Sequence, residues 1–158
     1  MALTFEPSLP DYLVGQLINM EEWNCISRVL GGVVNLPFGV PAVSTATTEW
    51  DVAPLTAAAQ NILGITRMNQ VLYHEGDYYA PKDIASIITM GVIGVLLGAD
   101  VTEGAQARFN TANGTWTGAA ASSTVLTVPG AQFEYAGKSG AVGVIRYNRP
   151  ILSVSVGA

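Results

Sequence analysis

Between Asp83 and Asp100 the chain reads DIASIITMGVIGVLLGAD, with no charge inside the two aspartates. Any fold must find apolar cover for this run. Its interior, residues 84–99, is too short for a membrane-spanning helix, which needs roughly 20 apolar residues, and both of its flanks are acidic. Gly91 and Gly94 disfavour a helix in water, whereas Ile87, Ile88, Thr89, Val92, Ile93 and Val95 are β-branched and suit a pleated surface. The run therefore reads as strand. At period two, Ile84, Ser86, Ile88, Met90, Val92 and Leu96 share one face, and Ala85, Ile87, Thr89, Ile93, Val95 and Leu97 share the other. Both faces are apolar, so the strand must lie between two layers, or between one layer and another molecule.

Composition extends the same argument to the whole chain. Charged residues make up 12%, about half the usual quarter of a soluble domain. From Arg28 to Arg67 no basic residue intervenes, and only Glu49 and Asp51 carry charge. Burial against partner subunits accounts for such a surface, because monomers seldom expose large apolar patches. The seven basic residues are spread singly through a chain of net charge −5, which excludes a nucleic-acid footprint. No segment is fit to cross a membrane as a helix. Cys25 is the only cysteine and has no partner for an internal disulfide. The N-terminus has no basic region ahead of an apolar core, so a signal peptide is not expected.

The expected organisation is an extended N-terminal arm over 1–13, one β domain over 14–150 and a C-terminal tail over 151–158. Pro7 and Pro10 keep the arm extended. In NMEEWNCISRVLGG, Asn19 as a cap, Glu22 three residues on, Trp23, Ile26 and Leu30 at helical spacing and Gly31 as a stop offer one short helix. The remainder signals strands. VVNLPFGVPAVST has alternating apolar residues broken by Pro37 and Pro41, which edge strands and bulges tolerate, and Glu103-Gly104 marks a turn. Asn113-Gly114 marks a hairpin, whose type I′ turn needs positive φ at both central residues. Pro129-Gly130 and residues 137–140 separate three further strands. Regular spacing of short strands predicts an all-β sandwich or jelly roll. Gly91→Val is expected to be more damaging than Gly137→Val, the latter lying in a polar turn with slack. The tail ILSVSVGA alternates after Pro150, which frees it to leave the body and pair with a neighbour.

Little in the sequence carries chemistry. His74, beside Glu75 and Asp77, has no second histidine and no cysteine at ligand spacing, so no metal site is expected. Cys25 has no nearby histidine, and Ser139 in GKSGA lacks the strand–turn–helix setting of a nucleophile. No catalytic residue, cofactor or metal is assigned. Trp50, Trp116, Tyr78, Tyr79 and Tyr147 could stack sugars, but core or interface packing is the commoner use of such residues.

The order of these segments resembles a known family. GQLINMEEWNCISRVLGGVVNLPFGVPAV contains Gly15-Gln16, Ser27-Arg28 and a Phe38-Gly39-x-x-Val element of the kind found at the opening of the structural cement proteins that decorate tailed-phage capsids. ILGIT, the run with Asp83 and Gly91, VTEGAQARF and PGAQFEYAGKSGAVGVIRY are similar to later elements of that family. The resemblance implies a jelly-roll-like fold, no catalysis, two strands meeting near Gly91, and oligomers seated on the outside of the virion capsid. The partners implied are the major capsid protein and self, with a homotrimer favoured over a dimer. Phe5, Tyr12 and Leu13 of the arm, with Phe38 and Trp50 of the weakly charged 29–60 region, are the expected contact residues. The alternative reading is a carbohydrate-binding or tail-associated phage module.

Overall fold

The computed structural model describes residues 12–19, 21–45, 48, 50–69 and 76–150. Among these the chain forms eleven strands and no helix: β1 (Asn24–Leu30), β2 (Leu36–Pro37), β3 (Pro41–Ser44), β4 (Asp51–Pro54), β5 (Ile62–Thr66), β6 (Tyr78–Tyr79), β7 (Ile84–Leu96), β8 (Gln106–Asn110), β9 (Thr115–Thr117), β10 (Val125–Phe133) and β11 (Val142–Asn148).

The apolar run is β7, and it organises everything else. Ile88 pairs with Cys25 of β1 and with Ile65 of β5, and Ile93 pairs with Ile145 of β11 and with Leu17. Both edges of β7 are thus occupied along its length. From β1 the pairing continues to β4, β3 and β5 and returns to β7, which closes a first five-stranded ring. From β11 it continues to β10, β8 and β9. A parallel bridge between Leu97 and Trp116, with the Gly98 amide donating to the Trp116 carbonyl at 2.9 Å, closes a second ring. Closed rings leave no long bare sheet edge. β7 forms wall in both, and from Ala85 to Val95 its residues are buried or half-buried, while Ile84 and Leu96 at its two ends remain exposed. The fold is all-β, a jelly-roll-like barrel arrangement.

Register sets the core. Leu30 lies beside Val52, and Ala85 and Ile87 beside Arg28 and Ile26, in the first ring. In the second, Ile93–Ile145–Phe133 and Leu126–Phe109–Trp116 form rows. Apart from Arg28 and Ile26 these side chains are buried.

Four local expectations are corrected. The helix over the Trp23–Leu30 pattern is strand β1, because a spacing of four, as from Ile26 to Leu30, also places two residues on one face of a strand. The neighbouring β7 then supplies the pairing. The expected pair of strands near Gly91 is one continuous strand, in which Gly91, at φ 147°, marks the handover from β1 and β5 to β11. Pro129-Gly130 is an irregularity inside β10 and not a turn between strands, with Gly130 at φ 81° and the register against β8 shifting there. The Asn113-Gly114 hairpin forms between β8 and β9, but only Gly114 has positive φ, and its amide donates to the Asn110 carbonyl at 2.9 Å. The turn is therefore not type I′.

Gly91→Val should lower stability by about 1–3 kcal/mol, since a β-branched residue is strained at that φ and its Cβ would press on Trp23 and Leu17 at 3.2 and 3.3 Å. Gly137 does not have the slack expected of it. It bridges Val101 through two backbone hydrogen bonds, and a Cβ there would run into the tip of Leu97. Gly137 does not have the positive φ of Gly91, so Gly137→Val adds a clash without that backbone strain and should also lower the melting temperature, but by less. Equal shifts in thermal melts would contradict this ordering.

Candidate contact surface

At the end of β1 the alternation delivers Val29 outward, beside Asp51 of β4 and Ile84 of β7 in register. The Val29 amide donates to the Trp50 carbonyl at 3.1 Å, and the Lys82 amide donates to the Leu30 carbonyl at 2.9 Å. These bonds gather the turn at 31–35, Trp50 and Ile84 at one end of the first ring. There Val33 is 91% exposed, Ile84 65%, and Val34 and Trp50 59% each. The Arg28 guanidinium lies 5.1 Å from the centroid of the Trp50 ring, a cation–π distance that holds the indole in place. An exposed aliphatic group with a Trp–Arg pair matches the composition of interface anchors.

A second exposed region surrounds the root of the arm. Residues 15–18 run along β7: the Gly15 amide donates to the Gly94 carbonyl at 2.8 Å, the Gly94 amide to the Gln16 carbonyl at 2.9 Å, and the Ile18 amide to the Val92 carbonyl at 2.9 Å. The approach is so close that a Cβ on Gly94 would lie 2.5 Å from the Leu13 carbonyl oxygen. Gly39 packs on the same point, and its carbonyl accepts the Trp116 indole N–H at 2.7 Å. The Gly15-Gln16 and Phe38-Gly39 motifs, distant in sequence, therefore meet. Arg67 stacks on Trp23 at 5.3 Å, and Arg146 makes a two-pronged pair with Glu134 (2.9 and 2.8 Å) and a further pair with Glu21 (2.7 Å).

Of the expected contact residues, Trp50 and Leu13 are exposed and Tyr12 is half-buried. Phe5 lies outside the described residues. Phe38 is corrected: it is 5% exposed, edge-on to Tyr79 at 5.2 Å, because the Phe38 and Gly39 amides bond inward to the Asp77 and Thr66 carbonyls. It belongs to the core. Val33, Val34 and Ile84 were not singled out as contacts. The signal for two of them was an apolar pair placed within the turn sequence GGVVN, where solvent exposure is the rule.

The five aromatics do not form one exposed platform, since Trp116, Tyr79 and Tyr147 are fully buried. Burial pushes the Tyr147 phenol up to about 12. The Tyr79 hydroxyl, also raised by burial, donates to the Arg67 carbonyl at 2.6 Å and accepts the Ser86 amide at 3.2 Å, which is a structural tie. Cys25 Sγ sits 3.1 Å from Ser86 Oγ, half-buried. Among the described residues no three of His, Cys, Asp and Glu converge. His74 lies outside them.

The Arg146 bond holds the Glu134 carboxyl below the usual carboxylate range, and Arg146 itself is shifted upward, so it stays charged. A depressed folded-state pKa contributes stability that is complete above the unfolded value near 4.5 and is lost as pH falls through the folded value. Glu134→Gln should remove this part of the acid dependence while costing no more than the ~1 kcal/mol of an exposed pair at neutral pH. Urea melts between pH 7 and pH 3 check it. An unchanged acid limb in the variant would contradict the assignment.

Among the described residues the body is a closed all-β arrangement whose exposed large apolar and aromatic side chains gather mostly at these two regions. A family model described as "Structural cement protein (E217 gp24/Pam3 gp6)" matches residues 3–148. The chain belongs to this family of phage structural cement proteins, which makes it a capsid-stabilising protein of a structural class. A chain from a solved structure described as "The capsid of Myoviridae Phage XM1" is similar in fold, at 17% identity and a TM-score of 0.72, with 96% of this chain and 99% of that chain covered. No curated protein matches.

Proposed function

We propose that the protein binds the outer surface of the assembled coat shell and stabilises it by bridging coat subunits, with the Trp50 end of the first ring as the docking face. The observation that carries this reading is the concentration of Val29, Val33, Val34, Trp50 and Ile84 at one end of the molecule, anchored by Arg28. A ligand that binds only the assembled state stabilises that state by RT ln(1 + [L]/Kd), about 2.7 kcal/mol per site at a hundredfold excess over Kd. A lattice repeats the gain at every site. Leu13 lies beside Gly94, residues 1–13 supply further contact to a coat subunit, and the protein self-associates, a trimer being favoured over a dimer.

Co-sedimentation of the purified protein with bare shells of its phage tests the reading. Saturable binding at a fixed ratio to coat subunits is expected. Protein that remains in the supernatant at micromolar concentration would overturn it. Removing residues 1–13 should weaken binding while leaving the melting temperature of the free protein nearly unchanged, because a proline-containing arm without periodicity adds little to a core.

A further inference from the structure

A cleft of about 700 Å³ lies between Ile62 of β5, in the first ring, and Pro129 of β10 with Arg149 and Pro150 just after β11, in the second; Tyr147 also lines it. Backbone contacts fix both walls. Gly130, at φ 81°, packs so closely on the Asn148 carbonyl and Pro150 that a Cβ there would run into both, and the Arg149 amide donates to the Thr89 carbonyl of β7 at 2.9 Å. On the other side the Asn61 carbonyl accepts the Ser44 amide at 3.0 Å.

Two polar groups of the cleft lack partners among the described residues. Tyr147 is only 1% exposed, yet its hydroxyl makes no hydrogen bond there, and a buried hydroxyl in that condition calls for an acceptor. Burial pushes the phenol up to about 12 against the opposing pull of the Arg149 charge, so at neutral pH it is a donor. The Arg149 guanidinium also has no ion pair or bonded acceptor among the described residues. Other cations of the chain are engaged: Arg28 and Arg67 lie against tryptophan rings, Lys138 and Arg146 pair with carboxylates, and Arg108 bonds to the Gly118 and Ala119 carbonyls. No Asp or Glu stands among the described residues of the lining.

Both unpartnered groups donate, and one is cationic, so their complement is a carboxylate; Ile62, Pro129 and Pro150 call for aliphatic flanks. Asn61, Pro129, Arg149 and Pro150 are all exposed, which makes the cleft open at the surface and accessible to a segment of another chain. We propose that it binds an acidic, aliphatic peptide segment of a neighbouring coat subunit, one carboxylate of which accepts hydrogen bonds from Arg149 and the Tyr147 hydroxyl while its flanking side chains cover Ile62, Pro129 and Pro150. That the segment belongs to the coat rests on the docking reading above; its chemistry rests on the cleft alone.

The chemistry is tested without any shell. The capped peptide Ala-Leu-Glu-Leu-Ala is titrated into isotopically labelled full-length protein, with its Gln counterpart as control. The Glu peptide should shift the amide resonances of Asn61, Ile62, Tyr147 and Arg149 saturably, and the Gln peptide should bind about tenfold more weakly, the usual worth of a hydrogen bond to a charged group. Arg149→Gln, at an exposed position, should erase the preference for Glu over Gln with the melting temperature unchanged. Tyr147→Phe keeps the ring and should weaken the Glu peptide by about threefold to tenfold. No shifts at the cleft, equal affinity for the two peptides, or a preference that survives Arg149→Gln would overturn the proposal. The source is tested on decorated shells, with a benzophenone attached at Asn61→Cys in a Cys25→Ser background. Its photocrosslink should join the protein to a coat subunit, and a crosslink formed only between copies of this chain would overturn that assignment. Shells that stay bare would contradict the docking reading, whereas the peptide titration judges the cleft in either case.

Discussion

Replacing Trp116 by Ala is expected to destabilise the protein by about 3–5 kcal/mol, the range for removing a large buried aromatic. A domain of this size is stable by only about 5–15 kcal/mol, so the variant should be partly unfolded near physiological temperature. The expectation rests on three roles converging in one side chain. The indole is fully buried and packs edge-on to Phe109 at 5.5 Å. Its N–H donates to the Gly39 carbonyl at 2.7 Å, tying the second ring to the loop that enters β3 of the first. Its backbone closes the second ring against Leu97 and Gly98. Trp116→Phe separates these roles. It keeps most of the ring volume and strands the Gly39 carbonyl, for which about 1–3 kcal/mol is the usual cost. Urea denaturation of both variants should show the graded order wild type, Phe, Ala. A Phe variant as unstable as Ala would mean that the hydrogen bond, and not the packing, dominates.

Replacing Trp50 by Ala should have the opposite profile, a small effect on the free protein and a large one on docking. The side chain is mostly exposed, and its main internal contact is the Arg28 cation–π pair, worth about 0.5–1 kcal/mol. As the aromatic centre of an apolar contact face it should contribute on the order of 2–4 kcal/mol to binding, a loss of roughly 30-fold to 1,000-fold in affinity for shells. Tyr135→Ala is the matched control, an exposed aromatic on the distant β10–β11 connection, and should leave affinity unchanged. Sedimentation titrations compare the three proteins at equal concentration. Equal affinities for wild type and Trp50→Ala would move the docking face elsewhere.

How much of this was legible in the sequence depended on whether the deciding interaction was local. The β7 run declared itself because two apolar faces over so long a stretch have few solutions, and a strand walled into two rings is one of them. Turns with a stereochemical demand were also readable: Gly104 and Gly114 both have positive φ where the sequence placed turns. The strand β1 was not readable, because its apolar spacing fits both periods and only pairing with β7, some 60 residues away, decides between them. Pro129-Gly130 looked like a turn for the same reason. Continuous pairing on either side of it makes it a bend within β10. Ring closure depends on the parallel contact of β1 with β4 and on the Leu97–Trp116 bridge, neither of which leaves a local mark. Among the expected contact residues, Leu13 was suggested by its place in the arm and Trp50 by a weakly charged setting, and both are exposed. Phe38 shared that setting, but inward amide bonds at Phe38 and Gly39 draw it into the core.

The central claim, stabilisation of the shell by binding it, is tested most directly by scanning calorimetry of bare and decorated shells, with occupancy counted on the same samples by cryo-electron microscopy. The account predicts density at lattice-fixed positions on the outer surface and a rise in shell melting temperature that grows with occupancy and saturates when the sites are full. Full occupancy with no rise in melting temperature, or bare shells that stay bare in excess protein, would contradict it.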